Sequence, residues 1–167
     1  MDALNAKNLL VFRSAKHPVV KECIKKITAE NKDCRIWVCV QEQCVSQYSE
    51  YSNVEFIIFP NGMFNYERTA LNREICNSLT KLQFDEVIIT YSSPVPHCEE
   101  IEKIVLNIVK KKSAVYFNSE GKMYKKKIHI RRIKPKKIIK CIYKYVDYIF
   151  MKIIYMYFAR ERKNDFR

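Results

Sequence analysis

Short apolar runs alternate with helical periods along the first 117 residues of the chain. The apolar runs are four to seven residues long and continuous, which predicts buried strands. Predicted strands cover residues 8–12, 35–40, 54–59, 85–91 and 114–117. Between them, hydrophobic residues recur every three or four positions, which predicts amphipathic helices over residues 17–30, 65–82 and 95–112.

Each predicted helix has one apolar face that is expected to pack on the sheet. In the first helix this face consists of Val19, Val20, Cys23, Ile24 and Ile27. In the second it consists of Ala70, Leu71, Ile75, Leu79 and Leu82. In the third it consists of Ile101, Ile104, Val105 and Ile108.

Continuously apolar strands separated by helices are typical of a parallel sheet that is covered on both faces. We therefore predict a Rossmann-like, doubly wound α/β fold with a mostly parallel five-stranded sheet in the order 3-2-1-4-5. The link over 41–53 is short for a crossover helix, and a final hairpin is predicted around Glu120 and Gly121.

The net charge of +13 changes this picture because it is confined to one end of the chain. Residues 1–121 carry equal numbers of basic and acidic residues, whereas 122–167 carry 16 basic and three acidic ones. Such a distribution predicts that an anionic partner meets the C-terminal segment. The predicted organisation is an α/β domain over 1–121, a basic hairpin or linker over 122–137 and an amphipathic helix over 138–163.

Seven scattered cysteines without a C-x-x-C pair, and an N-terminus without a basic or long apolar segment, favour a reduced, cytoplasmic protein. Cys34, Cys39 and Cys44 lie close together, but no histidine is near them, so no metal site is predicted. With only two glycines, the chain has no glycine-rich phosphate loop, and it has no Ser-His-Asp, paired-carboxylate or dinucleotide-binding motif.

Ligands of open α/β sheets bind outside the carboxyl ends of the strands, where the strand order reverses. In the predicted order this point lies between the first and fourth strands, so the loops over 13–18 and 91–97 meet there. The candidate ligand-binding residues in these loops are Ser14, Lys16, Ser92, Ser93 and His97. His17 is the candidate general base, because histidine titrates near neutral pH. The alternative is that Ser14, His17 and His97 only cap helices.

A short strand followed by SAKHP, then KDCRIWVCV, NVEFIIFP, a long helix and FDEVIITYSS, covers about residues 7–118. This pattern resembles the acceptor-side half of GT-B sugar transferases, especially the heptosyltransferase-like group. That family has a Gly-Asp pair where this chain has Lys16 and His17, so the resemblance implies His17 as the base of a possible glycosyltransferase. It also implies that a nucleotide-sugar donor is bound through a partner chain, or that the chemistry has been lost.

Residues 138–158 have the length of a membrane span but contain four charges, Lys140, Lys144, Asp147 and Lys152. At 100° per residue the first three share one strip, opposite a wide apolar and aromatic face. This pattern favours a helix that lies on an anionic membrane surface. The predicted membrane or anion contacts are Lys125, Lys126, Lys127, Arg131, Arg132, Lys136, Lys137, Lys140 and Lys144.

Two other interpretations of this segment remain open. Its apolar face can pack on the sheet edge or on another copy of the chain, or its lysines and aromatic residues can bind nucleic acid. The function expected from the whole sequence is a sugar-transferase-like or accessory protein of surface polysaccharide or glycolipid assembly, peripheral at the inner membrane face. The alternative is a non-catalytic binding module whose basic tail recruits nucleic acid or a protein partner.

Overall fold

The computed structural model describes residues 8–93, 96 and 98–129. Within these residues the protein is a mixed α/β domain with a single six-stranded sheet. The strands are β1 (Asn8–Phe12), β2 (Arg35–Gln41), β3 (Val54–Phe59), β4 (Glu86–Thr90), β5 (Ser113–Phe117) and β6 (Met123–Lys127). The helices are α1 (His17–Glu30), α2 (Tyr66–Leu71), α3 (Arg73–Lys81) and α4 (Glu99–Asn107).

The strand order is β3-β2-β1-β4-β5-β6, and the first five strands are parallel. This confirms the predicted order of the five parallel strands, with β1 and β4 adjacent at the centre. A sixth strand, β6, returns antiparallel to β5 through a turn at Gly121, which confirms the predicted final hairpin. Gly121 has a φ of +72°, which glycine adopts without strain.

The sheet is covered on both faces, which explains why its central strands are continuously apolar. Along β1, Leu9 and Val11 point into a core shared with α1, whereas Leu10 and Phe12 point into a core shared with α3 and α4. All four side chains are fully buried. The predicted inward faces of α1 and of the third predicted helix are buried as expected.

The single helix predicted over residues 65–82 is wrong, because the structure has two helices there, α2 and α3. Asn72 is extended between them, and its side-chain oxygen accepts hydrogen bonds from the N–H groups of Glu74 and Ile75. This cap starts α3 as a separate helix, so the residues that face the core differ from those of one continuous helix. Ile75 and Leu79 are buried as predicted, but Leu71 is 84% exposed and Thr69 is buried instead.

The link between β2 and β3 contains a 3-10 helix, Glu42–Tyr48, instead of a full crossover helix. It packs on the α1 side of the sheet through Cys44 and Tyr48. The described ranges contain no helix long and apolar enough to cross a membrane. The predicted C-terminal amphipathic helix lies outside them.

Candidate functional site

An open crevice of about 760 Å³ lies at the carboxyl ends of the central strands. Its floor is formed where β1, β2 and β4 end, and its walls are the loop after β3 and the first turn of α4. It is lined by Arg13, Ser14, Gln41, Gly62, Met63, Phe64, Tyr91, Ser92, Ser93, Cys98, Glu99, Glu100 and Ile101. The crevice is thus at the predicted reversal of strand order, and it opens on the α4 side of the sheet.

Three predicted ligand-binding residues, Ser14, Ser92 and Ser93, are brought together in the crevice lining. They are exposed, so their hydroxyl groups can reach a ligand. Lys16 does not line the crevice, but its backbone N–H donates to the hydroxyl of Ser92, at 3.0 Å. His97 lies outside the described residues. The structure therefore places three of the five candidates around one cavity.

Thr90 joins the end of β4 to the loop after β1. Its fully buried hydroxyl donates to the carbonyl of Phe12, at 2.9 Å, and accepts from the N–H groups of Ser14 and Ala15, at 3.3 Å each. With the Ser92 bond to Lys16, the N–H groups of residues 14–16 are all used inside the protein. This loop therefore does not offer those N–H groups to a phosphate, in contrast to the phosphate-binding first turn of dinucleotide-binding domains.

His17 faces the 3-10 helix and is not part of the crevice lining. Its Nδ1 lies 2.8 Å from the hydroxyl of Tyr48, and burial raises the pKa of Tyr48 to about 12. Burial of the imidazole, together with the positive charges of Arg13 and Lys21, lowers the pKa of His17 from its ordinary value of 6.5. The ring is therefore neutral at pH 7 and paired with a neutral phenol.

We expect this pair to make the protein less stable as the pH falls below about 6.5. Because the pKa of His17 is lower in the folded protein, the unfolded chain binds more protons between the two pKa values, so stability decreases through that window. Thermal unfolding at pH 7.5 and 5.5 measures the effect, since carboxylates titrate mainly below this range. The loss should be smaller in His17→Gln and unchanged in His129→Gln, which replaces an exposed histidine. An equal loss in His17→Gln would contradict the assignment.

A chain of polar contacts crosses the crevice floor, and sequence reasoning missed its members. Nη1 of Arg13 donates to Oε1 of Gln41, at 3.2 Å, and Nε2 of Gln41 donates to the carbonyl of Gly62, at 2.9 Å. Gln41 is buried, so its amide is oriented by these two bonds. The contacts connect the ends of β1 and β2 to the loop after β3.

The crevice lining also contains a carboxylate, a thiol and an aromatic ring. Glu100 accepts from the N–H of Tyr66, at 2.9 Å, and pairs with Lys103, which lowers the pKa of its carboxyl. Burial raises the pKa of Cys98 to about 11, so the thiol is protonated at neutral pH. Tyr91, which follows β4, is also buried, and its hydroxyl donates a hydrogen bond to the hydroxyl of Tyr124, at 3.3 Å.

The lysines of β6 that were predicted to contact a membrane are exposed on an edge strand. Lys125 pairs with Glu86, and Lys126 lies 5.5 Å above the ring of Tyr116. Both contacts leave the lysines at the surface, where they also protect the sheet edge from pairing with another strand. The predicted contacts Arg131, Arg132, Lys136, Lys137, Lys140 and Lys144 lie outside the described residues.

The crevice offers hydroxyl, amide, guanidinium and aromatic groups, which suit the binding of a polar ligand. In the described part of the chain, no group of three or more His, Cys, Asp or Glu side chains is placed to hold a metal ion. Comparisons with protein-family models, with curated proteins and with solved structures find no match to this chain. The functional assignment of the crevice therefore depends on its geometry and chemistry.

Proposed function

We propose that this protein is a Rossmann-like, sugar-transferase-like or accessory protein of surface polysaccharide or glycolipid assembly, and that its crevice binds a sugar ligand. The observation that carries the proposal is the crevice itself, at the carboxyl ends of β1 and β4. This is where open α/β sheets bind their ligands. Its volume of about 760 Å³ is in the range of small-molecule sites, which supports a ligand of the size of a sugar or a nucleotide sugar.

The groups that line the crevice support a ligand with many hydroxyl groups. Ser14, Ser92 and Ser93 each supply a hydroxyl that both donates and accepts hydrogen bonds. Phe64 and Tyr91 supply apolar faces beside these polar groups. A sugar has the same mixture of hydroxyl groups and apolar C–H surface, so its two kinds of surface match the two kinds of lining.

A binding or accessory role is favoured over complete catalysis by this chain. His17, the candidate base, is paired with Tyr48 and lies outside the crevice lining, so it acts on a crevice ligand only after leaving that partner. Glu100 is already held by Lys103 and by a backbone N–H. We therefore propose that the nucleotide-sugar donor and the catalytic groups come from a partner chain, while this domain holds the acceptor.

The test of this function is ligand binding by the full chain, measured by titration calorimetry with sugars, sugar phosphates and nucleotide sugars. Ser93→Trp fills the crevice and is expected to weaken binding at least about 10-fold, because a bulky side chain excludes the ligand. Ser49→Trp places the same side chain at an exposed position outside the crevice lining and should bind as the natural chain does. The proposal fails if no sugar ligand binds, or if the two variants bind equally well.

Catalysis is tested separately with nucleotide sugars and candidate partner chains. Transfer that requires both chains would support the acceptor-holding role. If His17→Ala then leaves the transfer rate unchanged, the base belongs to the partner. If neither the chain alone nor any pair transfers sugar while sugar binding persists, the accessory role is the remaining form of the proposal.

We also propose that the basic C-terminal segment holds the protein at an anionic membrane surface. Residues 122–167 contain 16 basic and three acidic residues, and ten of the basic ones lie between 122 and 140 with no acidic residue among them. Each basic residue near an anionic leaflet contributes about 1 kcal/mol of attraction at most. Under this proposal the protein works at the membrane surface, where glycolipids are assembled.

Replacing both Arg131 and Arg132 by glutamine is expected to weaken binding to vesicles with anionic lipids by up to about 30-fold, because two attractive charges are lost. Vesicle co-sedimentation measures the change. Lys32→Gln with Lys81→Gln removes the same charge from exposed positions of the α/β domain and should have little effect. Equal binding to neutral vesicles, or preferential binding to nucleic acid over anionic vesicles, would contradict the membrane role.

A further inference from the structure

Among the residues that the structure describes, Arg13 is a cation at the floor of the crevice without a carboxylate partner. Its side chain is partly buried where β1 ends, and no ion pair of Arg13 is found among residues 8–93, 96 and 98–129. Nη1 donates to the neutral amide of Gln41, and the buried Nε–H has no hydrogen-bond acceptor in the described part of the chain. Guanidinium groups in protein interiors are normally paired with anions, so this arrangement is incomplete without a further group.

The unused part of this guanidinium has the geometry that binds oxyanions. Nη1 is bonded to Gln41 and Nε is buried, so Nη2, for which no hydrogen bond is found among the described residues, is the nitrogen left to meet a ligand. The N–H groups of a guanidinium form strong, charge-assisted hydrogen bonds with the oxygens of a carboxylate or phosphate. Gln41 is itself held by the carbonyl of Gly62, which fixes the side chain that orients Arg13.

Other groups around the crevice direct an anion to Arg13. The N–H groups of residues 14–16 are used by Thr90 and Ser92, so the loop after β1 provides no alternative anion site through them. Glu99 and Glu100, which also line the crevice at the start of α4, supply no positive charge there, and Lys103 is already paired with Glu100. An anionic group of a ligand is therefore favoured at the Arg13 end of the crevice.

We infer that the crevice selects a ligand with an anionic group, a phosphate or a carboxylate, and that the guanidinium of Arg13 binds this group. The inference deepens the proposed function and rests on it, since it names the class of sugar: a sugar phosphate or an acidic sugar. Arg13 supplies the charge, while Ser14, Ser92 and Ser93 bind the hydroxyl groups of the same ligand.

The experiment compares glucose, glucose 6-phosphate, glucuronate and inorganic phosphate as probes of the full chain, by calorimetry and by the shift in melting temperature. The natural chain should bind the two anionic sugars about 10- to 100-fold more tightly than glucose, because hydrogen bonds to charged groups are the stronger ones. The two anionic sugars distinguish phosphate from carboxylate as the preferred group. In Arg13→Gln the preference should fall below about 3-fold, with the affinity for glucose little changed.

Arg35→Gln is the matched control, since it removes an arginine that is paired with Glu55 outside the crevice lining. It should keep the full preference. Arg13→Lys keeps the charge but loses the planar guanidinium and its bond to Gln41, so it should keep only part of the preference. If Arg13→Gln fails to fold, as judged by circular dichroism, the Arg13→Lys variant decides, and an undiminished preference there overturns the inference.

The outcomes separate this inference from the proposed function. If the natural chain binds glucose and its anionic relatives equally, the inference is wrong while sugar binding stands. If no sugar binds but inorganic phosphate binds and requires Arg13, the sugar function is wrong while the anion site stands. If neither phosphate nor an anionic sugar binds, the anion site at Arg13 is wrong.

Discussion

Thr90→Val is expected to lower the free energy of unfolding by about 2–4 kcal/mol, although it conserves the volume and shape of a fully buried side chain. The lost hydroxyl group bonds the carbonyl of Phe12 and the N–H groups of Ser14 and Ala15. Valine offers none of these contacts, so the buried N–H of Ala15 loses its partner, whereas the N–H of Ser14 keeps the carbonyl of Phe12. Denaturant unfolding measures the change.

Two variants show whether the hydrogen bonds at Thr90 cause this loss. Thr90→Ser restores the hydroxyl group and should recover more than half of the lost stability. Thr80→Val makes the same chemical change at an exposed position of α3 and should cost less than about 1 kcal/mol. If Thr90→Val and Thr80→Val are equally stable, the hydroxyl of Thr90 does not hold the loop after β1 to β4.

The parallel sheet could be predicted because its central strands are buried on both faces. The run LLVF in β1 is apolar throughout, and the intervals that contain α1, the α2–α3 pair and α4 have enough residues to return the chain to the same end of the sheet. The bounds of β3 and α1 are those predicted. For α1 the reason is local: Pro18 favours the first turn, and five apolar residues then recur at helical spacing.

The break between α2 and α3 could not be predicted from hydrophobic spacing. The apolar positions on either side of Asn72 continue one helical period, so the pattern alone predicts one helix. The break depends on a hydrogen-bond choice at Asn72, whose side chain caps α3. Asn65 caps α2 in the same way, through the N–H of Arg68. Two capping asparagines seven residues apart were the available clue.

Strand order predicted the edge of the sheet at which the crevice lies, but not which side chains line it. Ser14, Ser92 and Ser93 were found because they lie in loops. Arg13 and Gln41 were missed because they lie at the ends of apolar strands. A polar residue at the carboxyl end of such a strand is a signal for a site residue that could have been used. The position of His17 outside the crevice lining could not be predicted. Its partner Tyr48 belongs to a 3-10 helix, and no hydrophobic periodicity in the sequence indicates that helix.

Phe12 joins the core to the crevice wall through a cluster of three aromatic rings. Its ring packs edge-on against Phe64, with centroids 5.5 Å apart, and against Phe59, at 6.3 Å. Phe59 and Phe64 are 4.9 Å apart, also edge-on. Phe64 lines the crevice, so the wall there is supported by a ring that lies wholly inside the domain.

Phe12→Ala is therefore expected to lower the free energy of unfolding by about 3–5 kcal/mol, because it leaves a cavity where the close-packed sheet cannot collapse. Denaturant unfolding measures this loss of stability. Ile58→Ala is the control at a half-exposed position, where the free energy of unfolding should fall by less than about 1 kcal/mol. Phe12→Leu keeps most of the volume and should cost less than Phe12→Ala. If Phe12→Ala costs no more than Ile58→Ala, the three rings do not form the support of the crevice wall.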